Sequence, residues 1–173
     1  ATPVDEANAA GNDFLAELAR EWEDQIAPYT GPCLIARFGV VLAAQGGVLP
    51  RLRLPFRLFV GGRLGTGEQW FPWVSLDDTV RAMVFALERG MTGPLNIVAP
   101  TPLANRDLAQ ALGDILNRPS FIPTPAFALR AVLGEQACLL LEGQYVTPRK
   151  LLDSGFDFSH PDICTALQAA LKP

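Results

Sequence analysis

Residues 33–42 read Cys-Leu-Ile-Ala-Arg-Phe-Gly-Val-Val-Leu, with Arg37 as their one charge, and this run limits the possible folds more than any other stretch. A strand with one wet face alternates polar and apolar residues. A run that is apolar almost throughout is covered on both faces, as in a parallel sheet flanked by helices. Breakers bound it on both sides: Pro28, Gly31 and Pro32 before, Gly46 and Gly47 after. Parallel strands need crossovers of roughly a dozen residues or more, usually helical, and the rest of the chain supplies them.

Residues 12–27 predict a helix, with Phe14, Leu15, Leu18, Trp22 and Ile26 on one stripe, Asn12 as N-cap and Asp13 at the positive end. Residues 48–60 predict a short helix interrupted by Pro55. A glycine-rich loop covers 61–67, and 69–75 is aromatic and β-prone, with Trp70, Phe71 and Trp73. Ser75-Leu76-Asp77-Asp78 has the form of a capping box. It opens a helix to about Arg89 whose apolar stripe is Val80, Val84 and Leu87, with Met83 beside it. A short strand at 95–99 and a helix at 105–117, with Leu108, Leu112, Ile115 and Leu116 inward, complete an α/β pattern with parallel strands. Pro119, Pro123 and Pro125 then mark a boundary. Beyond it the pattern predicts helices at 126–133, 135–141, 148–153 and 161–171. The expected division is 1–118, an α/β region, and 119–173, a small and mostly helical domain.

Composition narrows the function classes. The net charge of -4 disfavours nucleic acid as a partner. Cys33, Cys138 and Cys164 are odd in number and widely spaced, which fits no disulfide framework or metal pair and suggests a reducing, cytoplasmic setting. No apolar run approaches a membrane span. The first twelve residues are small and acidic, unlike a signal peptide, and without an initiator Met the chain is expected to begin inside a longer protein.

Several phrases, in order, carry a resemblance: Trp22-Glu23, Arg37-Phe38-Gly39-Val40-Val41-Leu42, Gly61-Gly62-Arg63-Leu64-Gly65-Thr66-Gly67, Gln69-Trp70, and Trp73-Val74-Ser75-Leu76-Asp77-Asp78. Gly93-Pro94-Leu95-Asn96, Ala99-Pro100, Arg118-Pro119, Leu133-Gly134-Glu135, Pro148-Arg149-Lys150-Leu151 and Gly155-Phe156-Asp157-Phe158 continue the series. Together they resemble the C-terminal portion of an NAD(P)-dependent epimerase/dehydratase-like protein. The branch belongs to the extended short-chain dehydrogenase/reductase superfamily and carries its own short C-terminal domain of unassigned function. The resemblance implies that 1–118 is the C-terminal, substrate-side part of a Rossmann-like parallel-sheet fold, with a Rossmann half upstream that holds most of an NADP or NAD cofactor, and a small-molecule substrate. It also implies a homodimer through the helix at 12–27.

It further implies site residues. Arg37, Gly39 and Val40 would lie nearest the nicotinamide, and Arg63, Gln69 and Trp70 would line the substrate wall. Val40 stands near the place where sugar-nucleotide enzymes carry an Asn, which weakens transfer of a nucleotide-sugar substrate. No catalytic residue is assigned within the chain. The superfamily's Tyr-x-x-x-Lys pattern is missing: Cys33 and Arg149 stand four residues after Tyr29 and Tyr145, and Ala19 falls near the place of the Lys. That departure supports a rival reading, a non-catalytic nucleotide sensor or interaction module.

The residues themselves admit plainer readings. Arg37 requires a partner or an anion. The loop at 61–67 has the order Gly-x-x-Gly-x-Gly and precedes a strand, so it reads as a turn and not a pyrophosphate cradle. Arg51, Arg53, Arg57 and Arg63 read as a solvated face, or as a grip on an anionic small substrate. Trp70 and Trp73 could stack on a planar ligand, although core packing is the commoner use. Asp77 and Asp78 read as helix-start charges, and His160 as structural, with no hydrolase or zinc pattern beside it.

Overall fold

A computed structural model describes residues 2–127, 131, 134 and 141–171. In chain order the elements are α1 (Phe14–Asp24), β1 (Leu34–Phe38), β2 (Val40–Leu42), α2 (Leu49–Arg57), β3 (Trp73–Ser75), α3 (Leu76–Glu88), β4 (Gly93–Ile97), α4 (Asn105–Leu116), α5 (Arg149–Asp153) and α6 (Ile163–Leu171). The helices expected over 126–133 and 135–141 lie largely outside the described residues.

The apolar run forms two strands, not one. β1 pairs in parallel with β4, Arg37 opposite Asn96, while β2 pairs in parallel with β3, Val40 opposite Trp73. The switch of partner falls at Gly39. Because side chains alternate across a sheet, each face collects its own core. Leu42 and Trp73 pack with Leu49 and Phe56 of α2, Leu108 and Leu112 of α4 and Leu167 of α6. On the other face, Val74, Leu95 and Ile97 pack with Ala82 and Ala86 of α3, and with Leu151, Phe156 and Phe158. Both cores therefore draw on residues 151–167 as well as on the strands.

The leading segment is tied to residues 145–147 and to the edge of β4. Val4 N–H donates to the Tyr145 carbonyl at 2.8 Å, and Thr147 N–H donates to the Val4 carbonyl at 2.9 Å. Glu6 is buried, and its Oε1 accepts from the Asn96 N–H at 3.0 Å, covering the edge of β4. Among the described residues, β4 is the one strand paired with β1.

Several expectations change. The N-cap of α1 is Asp13, whose side chain accepts from Ala16 N–H, and not Asn12. None of the residues of α1 is buried, so its apolar stripe faces solvent, with Trp22 70% exposed. α2 continues through Pro55, because a proline in the last turn forfeits one hydrogen bond and Leu58 N–H still reaches the Leu54 carbonyl. In α3 the stripe of Val80, Val84 and Leu87 points outward. The sheet takes the small residues Ala82 and Ala86 instead, which let the helix lie close to the strands.

Candidate functional site

The seam where the two strand pairs part is the natural place for a ligand, since it lies at the carboxyl ends of the parallel strands β1 and β4. Gly39 N–H still bonds to the Ile97 carbonyl at 3.0 Å, but Val40 N–H turns to the Pro72 carbonyl at 2.7 Å. Ala99 N–H bonds to the Trp73 carbonyl at 2.6 Å, so β3 enters as a wedge between β2 and the chain leaving β4. A Cβ at Gly39 would stand 2.8 Å from Val98 Cγ1 and 2.9 Å from the Pro72 carbonyl oxygen. Only glycine fits there without a shift of backbone.

Trp70 borders the same seam. Its ring stacks on Tyr145, with centroids 4.7 Å apart and planes at 24°. The pair lines a small pocket of about 10 Å³ with Pro72, Val98, Ala99 and Gln144. Trp73 also lines it, but is itself almost fully buried, and its indole N–H has no acceptor among the described residues. Gly39 and the Trp70 pocket thus share Pro72 and Val98, and Val40 pairs with Trp73 of the same pocket.

The other three candidates are held elsewhere. Arg37 is not deep in the sheet: its side chain is 38% exposed and makes a two-pronged pair with Glu23 of α1, Nε to Oε1 at 2.7 Å and Nη2 to Oε2 at 2.6 Å. The hydrogen bond from Arg37 holds the Glu23 carboxyl below its usual range, partial burial opposing it, and Glu23 in turn raises the Arg37 guanidinium. Gln69 donates from Nε2 to the Leu64 carbonyl at 3.0 Å, and its own carbonyl accepts from Asn105 N–H. Arg63 accepts at its carbonyl from Thr124 N–H and flanks Gly67 opposite Arg106. Arg63 lies in the glycine-rich loop and Gln69 just after it, where the loop docks on the start of α4. That loop is a turn between extended pieces, bridged at Gly62 to Phe121 and at Leu64 to Thr124. In the basic stretch before it, Arg51 and Arg57 are exposed, whereas Arg53 has its Nε buried without a partner among the described residues.

Asp78 does more than start a helix. Ser75 Oγ caps α3 by accepting from Asp78 N–H at 3.0 Å. The Asp78 carboxylate is wholly buried and accepts four hydrogen bonds. Oδ1 takes Arg81 Nη1 at 2.9 Å and Ser159 N–H at 2.8 Å; Oδ2 takes Ser75 Oγ at 3.0 Å and His160 N–H at 2.9 Å. His160 Nδ1 lies 3.3 Å from Ser75 Oγ. Asp77, Asp78 and His160 are close enough to share an ion, but the Arg81 guanidinium already occupies the cationic role and both Asp78 oxygens are taken. The cluster is a latch that ties residues 159–160 to the start of α3.

Glu23, Asp78 and Tyr145 are the residues that sequence reasoning passed over. For Glu23 a signal existed: a single Arg in an apolar strand demands an acid, and Trp22-Glu23 is among the ordered phrases. Asp78 and Tyr145 meet partners far along the chain, which spacing does not reveal. No helix among the described residues is long and apolar enough to cross a membrane.

Comparison with known proteins places this geometry. Residues 124–170 match a family model described as a domain of unknown function (DUF1731). An epimerase family protein of Mycobacterium leprae (strain TN) is 44% identical over 172 residues, covering 96% of this chain and 56% of that protein. Epimerase family protein SDR39U1 of Mus musculus is 43% identical, with 97% and 58% covered. The crystal structure of human epimerase family protein SDR39U1 (isoform2) with NADPH superposes with a TM-score of 0.91 at 39% identity, covering 98% of this chain and 59% of that one. The chain thus spans about half the length of the curated relatives it matches. Over nearly its whole length, this chain is similar to about half of the length of epimerase family proteins.

Proposed function

We propose that this chain supplies the substrate-side part of an NAD(P)-dependent epimerase-like oxidoreductase. The observation that carries the reading is the glycine-only seam at Gly39, open at the carboxyl ends of parallel strands and walled by the Trp70–Tyr145 stack. The similarity to a protein solved with NADPH supports the nicotinamide nucleotide, NADP or NAD. In this reading the backbone at Gly39 and Val40 faces the nicotinamide, and Trp70 bounds the carbonyl, alcohol or sugar-like small molecule. Arg63 and Gln69 shape the loop beside it, and Arg37 acts through Glu23 to fix the end of β1. Residues 1–118 carry the strands and 119–173 the appended helical unit. Hydride passes between the nicotinamide and a substrate carbon, while the proton donor comes from outside these residues. A homodimer through α1 uses its solvent-facing stripe.

The test is the full-length protein that contains this chain, purified and assayed for retained nucleotide. Deuteride transfer from labelled NADPH or NADH to a panel of carbonyl compounds follows. Nucleotide retention with label in a product is expected. Retention with no transfer across the panel would instead favour a nucleotide sensor, a reading supported by the engagement of the Arg37 guanidinium with Glu23. Absence of any nucleotide binding would sink both.

A further inference from the structure

The pocket beside the Trp70–Tyr145 stack contains one polar group for which the fold itself has no use. Trp73 is 2% exposed, and its side chain packs in the core with Leu42 and Leu49. Its indole N–H is buried and has no acceptor among the described residues. Such orphaned donors are rare, because the group gives up its hydration and gains nothing in return. Trp73 lines a pocket of about 10 Å³, the room of a single water-sized group. Two distant stretches wall it. Pro72 and Val98 come from the seam, and Gln144 and Tyr145 from the region that matches the domain of unknown function. The second wall is held in place from both sides. A Cβ at Gly143 would collide with the Trp70 carbonyl oxygen, and the Tyr145 carbonyl accepts from Val4 N–H.

We propose that the Trp73 indole N–H is a specificity-determining donor of the substrate site, and that it receives an uncharged oxygen, carbonyl or hydroxyl, of the small molecule. The inference rests on the function proposed above and narrows its substrate class. An indole N–H can only donate, so its partner must accept. Among the described residues lining the pocket none is charged. A phosphate or carboxylate oxygen would therefore be buried without a counter-charge. A water molecule asks for about two to four polar partners, and the lining side chains of Thr101 and Gln144 are exposed. An oxygen carried on a larger molecule needs only the one donor, because its covalent bond already holds it. The volume admits that oxygen alone, so the rest of the molecule lies outside the pocket. In this arrangement Tyr145 gives the region at 124–170 a part in substrate recognition.

The test uses the full-length protein that contains this chain, with the heavy nitrogen isotope in its indoles and NADPH present. The Trp73 indole resonance is identified by its loss in Trp73→Phe. Titration with cyclohexanone and cyclohexanol, the neutral probes, should move that resonance, whereas acetate and inorganic phosphate should not. Trp73→Phe keeps an aromatic ring without the N–H and should weaken binding of the neutral probes about tenfold. Circular dichroism checks its fold. If the smaller ring unfolds the core, the benzothienyl isostere of Trp at position 73 keeps the shape and still removes the N–H. A resonance that ignores the neutral probes and shows only a bound water overturns the proposal. So does a response to acetate or phosphate, or neutral-probe binding that is unchanged without the N–H. Nucleotide retention and deuteride transfer, measured separately, tell failure of this donor from failure of the function on which it rests.

Discussion

Glu23 and Asp78 both tie distant stretches together through a carboxylate, in opposite surroundings. Glu23 meets one flexible cation, Arg37, at the rim of the sheet, where both side chains keep contact with water. Asp78 is sealed from solvent and receives two backbone N–H groups, a hydroxyl and a guanidinium. Replacing water at Glu23 costs little, so its pair adds little net stability. At Asp78 the desolvation is complete, and each donor that loses its acceptor is left buried without water. The first carboxylate adjusts the position of a helix; the second is a condition of the fold.

The sharpest way to break this contrast is Asp78→Ala. It should cost about 3–5 kcal/mol in chemical denaturation, because Arg81 and the N–H groups of Ser159 and His160 all lose their acceptor. A loss below about 1 kcal/mol would remove the latch as an explanation. Asp78→Asn keeps the shape but turns an NH2 toward donors, and should cost about 1–3 kcal/mol. His160→Ala should cost about 1 kcal/mol, since the backbone N–H bond to Asp78 survives. Glu23→Gln should cost about 1 kcal/mol or less.

Acid sharpens the comparison at the small end. The hydrogen bond from Arg37 holds the Glu23 carboxyl below its ordinary value of 4.5. The folded state therefore binds that proton less readily than the unfolded chain. Its stabilising share is complete above 4.5 and fades as the pH falls through the lowered folded value. Unfolding free energies of the parent and Glu23→Gln, measured from pH 7 downward, should converge as the solution becomes acidic. A gap that persists at low pH would mean that the variant acts through packing and not through charge.

Much of this architecture was legible because period and punctuation act locally. α4 follows its leucines, with Leu108 and Leu112 buried as expected and Asn117 closing the helix in the left-handed region. Ser75 caps α3 as the local phrase implied. α3 shows the limit of the method: periodicity finds a stripe but not what covers it, and there the buried side is the alanine side. The apolar run from 33 to 42 gave no sign of dividing, because Gly39 breaks the strand through contact with Val98 and Pro72, both far along the chain. In the same way Arg37 announced that it needed a partner without naming Glu23. At the seam, Gly39 packs on Pro72 and Val98, which also line the pocket beside Trp70, while Gln69 donates to the Leu64 carbonyl.

The latch also orders events during synthesis. Asp78 must wait for Ser159 and His160, some eighty residues later in the chain. The contact of Glu6 with Lys150 and that of Val4 with Thr147 each span more than 140 residues. While the ribosome still holds the last stretch, a negative charge destined for the interior stays hydrated and the leading segment has no place to dock. Ties of this reach close slowly. A stall in translation shortly before residue 159 would leave a nascent chain with its sheet begun and its interior unsealed, open to chaperone capture until Ser159 and His160 emerge.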